Sequence, residues 1–299
     1  MDIKAFLKER RPTLSDSSLK TYSSILINLH NKVFGTKQIE SINNFNNTDL
    51  VLGNLEDMSP NKRKTILSAL VVLTNNEEYK TQMNKDVNAY NEEIQKQEMS
   101  LTQRENWVEK DEIKRTYDKL EKKAKEIYKK PNKSTADLQE IQNFIIIALL
   151  GGVLIPPRRS LDYCNFKLSN IDETKDNYYD TSSQKFVFNS YKTAKSYGRQ
   201  EVSVPVKLRN IIKKWKTINP TDYLIFDTNM NPLTAVKLNQ RMNKIFGDKK
   251  IGINSMRHTY LTSQFKNTRQ EGKKLERVME QMGSSIDMAD TYIKNDSPS

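Results

Sequence analysis

Cysteine occurs once in the 299 residues, at Cys164, and histidine only twice, at His30 and His258. One cysteine excludes an internal disulfide and any zinc site built on several thiolates, and its apolar neighbours mark it as a buried, inert thiol. Two histidines leave little from which to build a histidine-rich metal centre, so the chemistry is expected to run without a structural zinc. Long apolar runs are also lacking. The opening residues MDIKAFLKERRP have no apolar core of the kind a secretory leader carries, and the longest such run, Phe144 to Leu154 with Ile155, is too short to cross a bilayer. A soluble, intracellular protein with no membrane partner is expected. Acid is under-represented: 49 lysines and arginines face 37 acidic residues, a net charge of +12. That balance favours a polyanionic partner, nucleic acid first, although a lysine-rich surface serves solubility equally well.

What is present is mostly helical periodicity. Ser17 to Val33 sets Leu19, Tyr22, Ile25, Leu26 and Leu29 on one face, and a segment opened by Pro60 sets Ile66, Leu67, Leu70, Val71 and Leu73 on another. Packed together they predict a small helical bundle, with Lys62, Arg63 and Lys64 displayed on its rim. Glu77 to Gln103 is strongly polar, as a solvated helix or connection would be, so two domains are expected, 1–103 and 104–299. Beyond the boundary, Lys110 to Tyr128 predicts an amphipathic helix. Ser134 and Asp137 form a capping-box pattern for the next, which runs through the apolar stretch to Pro156 and Pro157 as a buried spine.

Three β-rich stretches follow, around Tyr178, at Gln184 to Asn189 and at Glu201 to Val206, and predict a small antiparallel sheet. After Lys207 the pattern returns to helix, with loops at Asn219-Pro220, Asn229 to Pro232 and Gly247 to Gly252. The expected fold class is mainly α with one small antiparallel β-sheet.

Four stretches carry chemistry. PPRRSLDYCNFKLSNID (156 to 172) places Arg158 and Arg159 just after the buried helix and ahead of Asp162; alone, such a run is an ordinary surface ion pair. SYKTAKSYGRQEVSVPV (190 to 206) carries Lys192, Lys195 and Arg199 on a hairpin, where basic residues commonly face solvent. INSMRHTYLTSQF (253 to 265) contains Asn254, Arg257, His258 and Thr259. MGSSIDMADTYIK (282 to 294) contains Ser284 and Tyr292, and alone reads as a terminal helix with a partly buried aromatic.

In this order and in these contexts the four stretches resemble the active-site boxes of the tyrosine recombinases, also called phage-type integrases. Residues 1 to about 100 look like that family's helical core-binding domain (SAM-like), which would make the remainder its catalytic domain. The resemblance implies that Arg159, with Arg158 as the alternative, and Arg257 grip the scissile phosphate. Paired arginines suit that role because two bidentate forks stabilise the charge on a five-coordinate phosphorus. It further implies that Lys192 protonates the leaving 5′ oxygen and that Tyr292 is the nucleophile, forming a 3′-phosphotyrosyl bond with no metal or nucleotide consumed. The chain departs from the family at two positions. Asn254 stands where histidine or lysine is usual, and Ser284 where histidine or tryptophan follows the glycine. Neither side chain shuttles a proton, which leaves His258 or water to do so.

The implied partner is double-stranded DNA, clamped by the two domains and bound by a homotetramer. Lys62, Arg63, Lys64, Arg158, Lys195 and Arg199 are the candidates for phosphate contacts. Two other readings share these residues: a type IB topoisomerase-like enzyme, and a DNA-binding recombinase homologue of impaired activity. An unrelated basic helical interaction protein would require four coincidences. Divergent boxes in an Asn- and Lys-rich chain would suit a virus or mobile element.

Overall fold

Asn, Lys and Glu-rich connections separate stretches of apolar periodicity, and the chain condenses accordingly into two compact units, Met1–Met99 and Ser100–Ser299. A computed structural model describes residues 1–96, 98–247 and 249–288. Among them the architecture is mainly α-helical with one three-stranded antiparallel sheet. No helix among the described residues is long and apolar enough to cross a membrane.

The first unit is built from α1 (Ile3–Arg10), α2 (Asp16–Phe34), α3 (Thr48–Gly53), α4 (Pro60–Thr74) and α5 (Glu77–Lys96). The Ser15 hydroxyl caps α2 by accepting from the Ser18 amide, and Gly35 ends it at φ 74°, the left-handed conformation in which a side chain would be strained. Leu19, Leu26 and Leu29 of α2 are buried in one cluster with Leu67, Leu70 and Leu73 of α4. Each such leucine contributes about 1.5–3 kcal/mol by leaving water. Tyr79 on α5 is fully buried and donates from its hydroxyl to the Phe45 carbonyl at 2.6 Å, and burial pushes its phenol up to about 12. Because Tyr79 and Asp86 anchor α5, the polar stretch after Glu77 is part of this unit and not a free connection.

The second unit starts with α6 (Leu101–Glu105), whose first turn is closed by a capping box between Ser100 and Gln103. The break between units therefore falls at 99/100, slightly before the residue-103 boundary expected from polarity. Helices α7 (Lys110–Lys129) and α8 (Thr135–Leu150) pack together, and the expected Ser134/Asp137 capping box opens α8. From Phe144 to Leu150 every residue of α8 is buried, as an all-round apolar helix must be.

This helix stops at Leu150, five residues short of Ile155, because Gly151 and Gly152 turn the chain before the prolines do. Gly152 sits at φ +71°, and a Cβ there would come within 2.7 Å of the Tyr260 ring. After a short helix α9 (Ser160–Cys164), the strands β1 (Tyr178–Asp180), β2 (Lys185–Phe188) and β3 (Gln200–Ser203) pair antiparallel in the order β1-β2-β3. In this register Phe186 faces Val202 and Phe188 faces Gln200. Rings of Tyr163, Phe166, Phe186 and Phe188 meet at centroid distances of 5.1–6.2 Å beneath the sheet.

A one-turn helix, α10 (Ala194–Tyr197), lies within the β2–β3 connection, and β3 ends before Val206 because Pro205 starts α11 (Val206–Lys216). Residues 223–226, expected to share the helical pattern, are instead non-helical, with isolated β-bridges at Tyr223 and Phe226 and with Leu224, Ile225 and Phe226 buried. Tyr223 bridges Lys167, and the Trp215 indole donates to the Leu224 carbonyl at 2.8 Å. Backbone pairing here overrides a pattern too short to distinguish helix from strand. Two further α-helices, α12 (Ala235–Ile245) and α13 (Ile253–Gln281), follow, and a 3-10 turn at Ile286–Met288 comes after them.

Candidate active site

The two arginines after the α8 turn have different surroundings. Arg158 donates from Nε to Asp162 Oδ2 at 2.9 Å and from Nη1 to Gln200 Oε1 at 3.0 Å. Its guanidinium also lies 3.9 Å from the Phe188 ring centroid and 5.3 Å from that of Tyr191. It thus ties α9 to the sheet by charge, hydrogen bond and cation–π contact, with Nε and Nη1 already engaged within the fold. Asp162 is 1% exposed. Burial raises its pKa, an effect that Arg158 first and Arg159 second oppose. Arg159 is half-buried at the N-cap of α9 and makes no side-chain hydrogen bond or ion pair among the described residues. Next to this pair, Cys164 is buried, and burial pushes its thiol up to about 11, as expected for an inert side chain.

Lys192 occupies the turn between β2 and α10 and is exposed, without a partner among the described residues. The backbone beneath it is fixed. Asn177 Oδ1 accepts from the amides of Asn189 and Ser190 at 2.9 and 2.8 Å, and its Nδ2 donates to the carbonyls of Ser190 and Asp162 at 2.8 and 2.9 Å. On the far side of the turn the Tyr191 hydroxyl donates to the Gly198 carbonyl at 2.6 Å. The result is a free ammonium on a rigid mount, directly linked to the Arg158 brace through Tyr191, Gln200 and Asn177. Lys195 is exposed on α10. Arg199 is occupied: it pairs with Glu201 at 3.0 Å, which also accepts from Lys185 at 2.9 Å.

On α13, Asn254, Arg257 and His258 fall three and four residues apart, so they share a face. The opposite face is anchored. Ile253, Met256 and Thr259 are buried, the Thr259 hydroxyl donates to the Val108 carbonyl at 2.8 Å, and Tyr260 packs on Gly152. Arg257 is half-buried, Asn254 and His258 are exposed, and none of the three has a side-chain partner among the described residues.

At the other end of α13 the Ser284 amide donates to the Met279 carbonyl and the Gly283 amide to that of Glu280, both at 2.9 Å, with Gly283 at φ +69°. This is a Schellman terminator, so Gly283 is accounted for by helix stopping alone. Tyr292 lies outside the described residues.

The structure therefore joins the Arg158/Arg159 stretch to the Lys192 hairpin directly, and joins α13 to the turn preceding Arg158 through Tyr260 and Gly152. No hydrogen bond or ion pair links Arg159, Lys192 and Arg257 to one another among the described residues. In the first unit Lys62 is exposed, whereas Arg63 is not displayed. Arg63 donates from Nε and Nη2 to the two oxygens of the buried Asp86 at 2.8 and 2.7 Å. The Lys64 ammonium lies 3.0 Å from the Tyr90 ring centroid. Asn177 and Gln200, which fix the hairpin, went unnoticed in the sequence. A polar residue at a strand end is ordinary there, and only the fold shows what it holds.

No protein-family model and no curated protein matches the chain. Among solved structures it has a loose likeness to the crystal structure of XerA recombinase, with a TM-score of 0.36 and 14% identity over 89% of this chain and 85% of that one.

Proposed function

We propose that the chain is a DNA strand-breaking and rejoining enzyme of the tyrosine recombinase type, with the first unit clamping duplex DNA and the second performing the chemistry. The observation that carries this reading is the state of the arginines. Arg63 and Arg158 are held in direct ion pairs by buried carboxylates, whereas Arg159 and Arg257 are half-buried with no carboxylate within ion-pair distance among the described residues. A half-buried guanidinium whose fork is not filled by a carboxylate keeps its donors available, and a phosphate satisfies that fork in two bonds.

In this mechanism Tyr292 attacks the phosphorus in line while Arg159 and Arg257 hold the non-bridging oxygens, and Asn254 donates a further hydrogen bond. Lys192 transfers its proton to the departing 5′ oxygen, leaving a 3′-phosphotyrosyl bond. Attack on that bond by a 5′ hydroxyl of another strand reverses the step and completes exchange, with a homotetramer holding two duplexes. His258, exposed next to Arg257, or water would accept the phenolic proton.

A second reading, a DNA-binding homologue of impaired activity, is favoured by Asn254 and Ser284, which replace the customary proton-shuttling side chains. Incubation with nicked suicide duplexes separates the two. The enzyme yields a covalent protein–DNA adduct that is absent in Tyr292→Phe; binding without any adduct would establish the second reading. An adduct accompanied by supercoil relaxation without strand exchange would indicate a topoisomerase-like enzyme instead.

A further inference from the structure

Helices α7 and α8, the turn around Asp227 and α12 border an open cavity of about 610 Å³ within the second unit, lined by none of the residues of the proposed active site. Such a volume is in the range of small-molecule sites. Five cationic and two acidic side chains line it. Both acids are already paired: Asp227 with Lys237 at 2.6 Å, and Glu140 with Lys123 at 2.9 Å. Lys119, Lys244 and Arg241 therefore have no carboxylate within ion-pair distance among the described residues.

Arg241 is the most confined of the three. The one hydrogen bond formed by its side chain among the described residues is from Nη1 to Gln142 Oε1 at 3.3 Å, an oxygen already accepting the Phe226 amide at 2.7 Å. Burial lowers its pKa to about 10, a shift only partly offset by Glu140 and Asp227. Most of its five N–H donors thus lack a protein acceptor and are free to meet a ligand in the pocket. Asn143 Oδ1, also on the cavity wall, is buried with no donor among the described residues. Leu120 and Leu233 supply an apolar wall alongside.

We propose that this cavity is a phosphate-recognising site, in which Arg241 forks the phosphate oxygens and Lys119 and Lys244 add charge. The shared chemistry is the phosphate group, whether of a free nucleotide-sized molecule or of a nucleic-acid backbone. The site does not depend on the recombinase reading, and Tyr292→Phe leaves it intact.

Calorimetric titration of the full chain with adenosine 5′-monophosphate, adenosine and a 20-base-pair duplex tests it, using wild type, Arg241→Gln and the double variant Lys119→Ala/Lys244→Ala. The double variant alters only exposed side chains and covers the case in which Arg241→Gln fails to fold. If the phosphate is that of a free molecule, the monophosphate binds, adenosine does not, and each variant weakens binding roughly tenfold or more, as loss of a charge-assisted contact does. If it is that of a backbone, the monophosphate fails to bind and the same variants weaken duplex binding to that degree. Unchanged binding of both phosphate-bearing probes in the variants, binding of adenosine as tight as that of its monophosphate, or no binding of either phosphate-bearing probe to wild type would overturn the proposal.

Discussion

The basic start of α4 and the basic stretch ahead of α9 look alike in sequence: Lys62, Arg63 and Lys64 in one unit, Arg158 and Arg159 in the other. In both, one arginine is turned inward onto a buried carboxylate and a neighbouring cation makes no direct ion pair among the described residues. Arg63 closes on Asp86 with two hydrogen bonds, and Arg158 closes on Asp162 while stacking on Phe188. Lys62 and Arg159 remain available. The two regions differ in what surrounds the available cation. Lys62 stands exposed in water, where attraction to any polyanion would be non-specific and screened by salt. Arg159 is half-buried beside a rigidly mounted hairpin, where a phosphate would meet a fixed fork. Adjacent cations in a sequence thus divide into one that braces the fold and one whose donors stay unfilled, and what separates Arg158 from Arg159 is a direct carboxylate partner.

The largest effect on stability is expected within the second unit. Arg158→Ala leaves Asp162 buried and uncompensated and should cost roughly 3–5 kcal/mol in denaturant unfolding, whereas Arg159→Ala should stay within about 0.5 kcal/mol. Equal costs would erase that distinction. A smaller effect is expected in the first unit. Arg63→Ala should cost about 1–3 kcal/mol, because Asp86 keeps the Gln82 amide as a partner at 3.1 Å. Lys62→Ala should leave unfolding unchanged and reduce the dependence of log DNA affinity on log salt by about one unit, measured by fluorescence anisotropy at several salt concentrations.

The smallest effect concerns an exposed pair. Lys130, followed by the Ser134 amide, holds the Asp137 carboxyl down to about 2. Its folded pKa is depressed, so its contribution is present above the usual carboxylate range and fades as pH falls toward 2. Asp137→Asn should therefore lower Tm slightly at pH 7, with the difference from wild type vanishing in strong acid.

Much of this was legible in the sequence because it depends on local periodicity. The α2 and α4 stripes, the Ser134 capping box and the alternation in β2 all report one element at a time. What escaped depends on contacts far apart in the chain. The end of α8 at Leu150 is set by Gly152 meeting Tyr260, and the non-helical path at 223–226 is set by Lys167 and Trp215. Of the candidate site, residue types and order were visible, but the inward turn of Arg158 was not, since it depends on Gln200 and Phe188 arriving from the sheet. The fourth stretch divides likewise: Gly283 is a helix terminator, and Tyr292 lies beyond the described residues.

The account rests most heavily on Arg159 being a phosphate ligand and not a structural residue. Adduct formation on a nicked duplex, measured for wild type and Arg159→Ala with their unfolding curves, tests this directly. The expected result is superimposable unfolding with the adduct reduced by two orders of magnitude or more, as on removing a donor to the transition-state charge. An Arg159→Ala protein that forms the adduct as fast as wild type would contradict it.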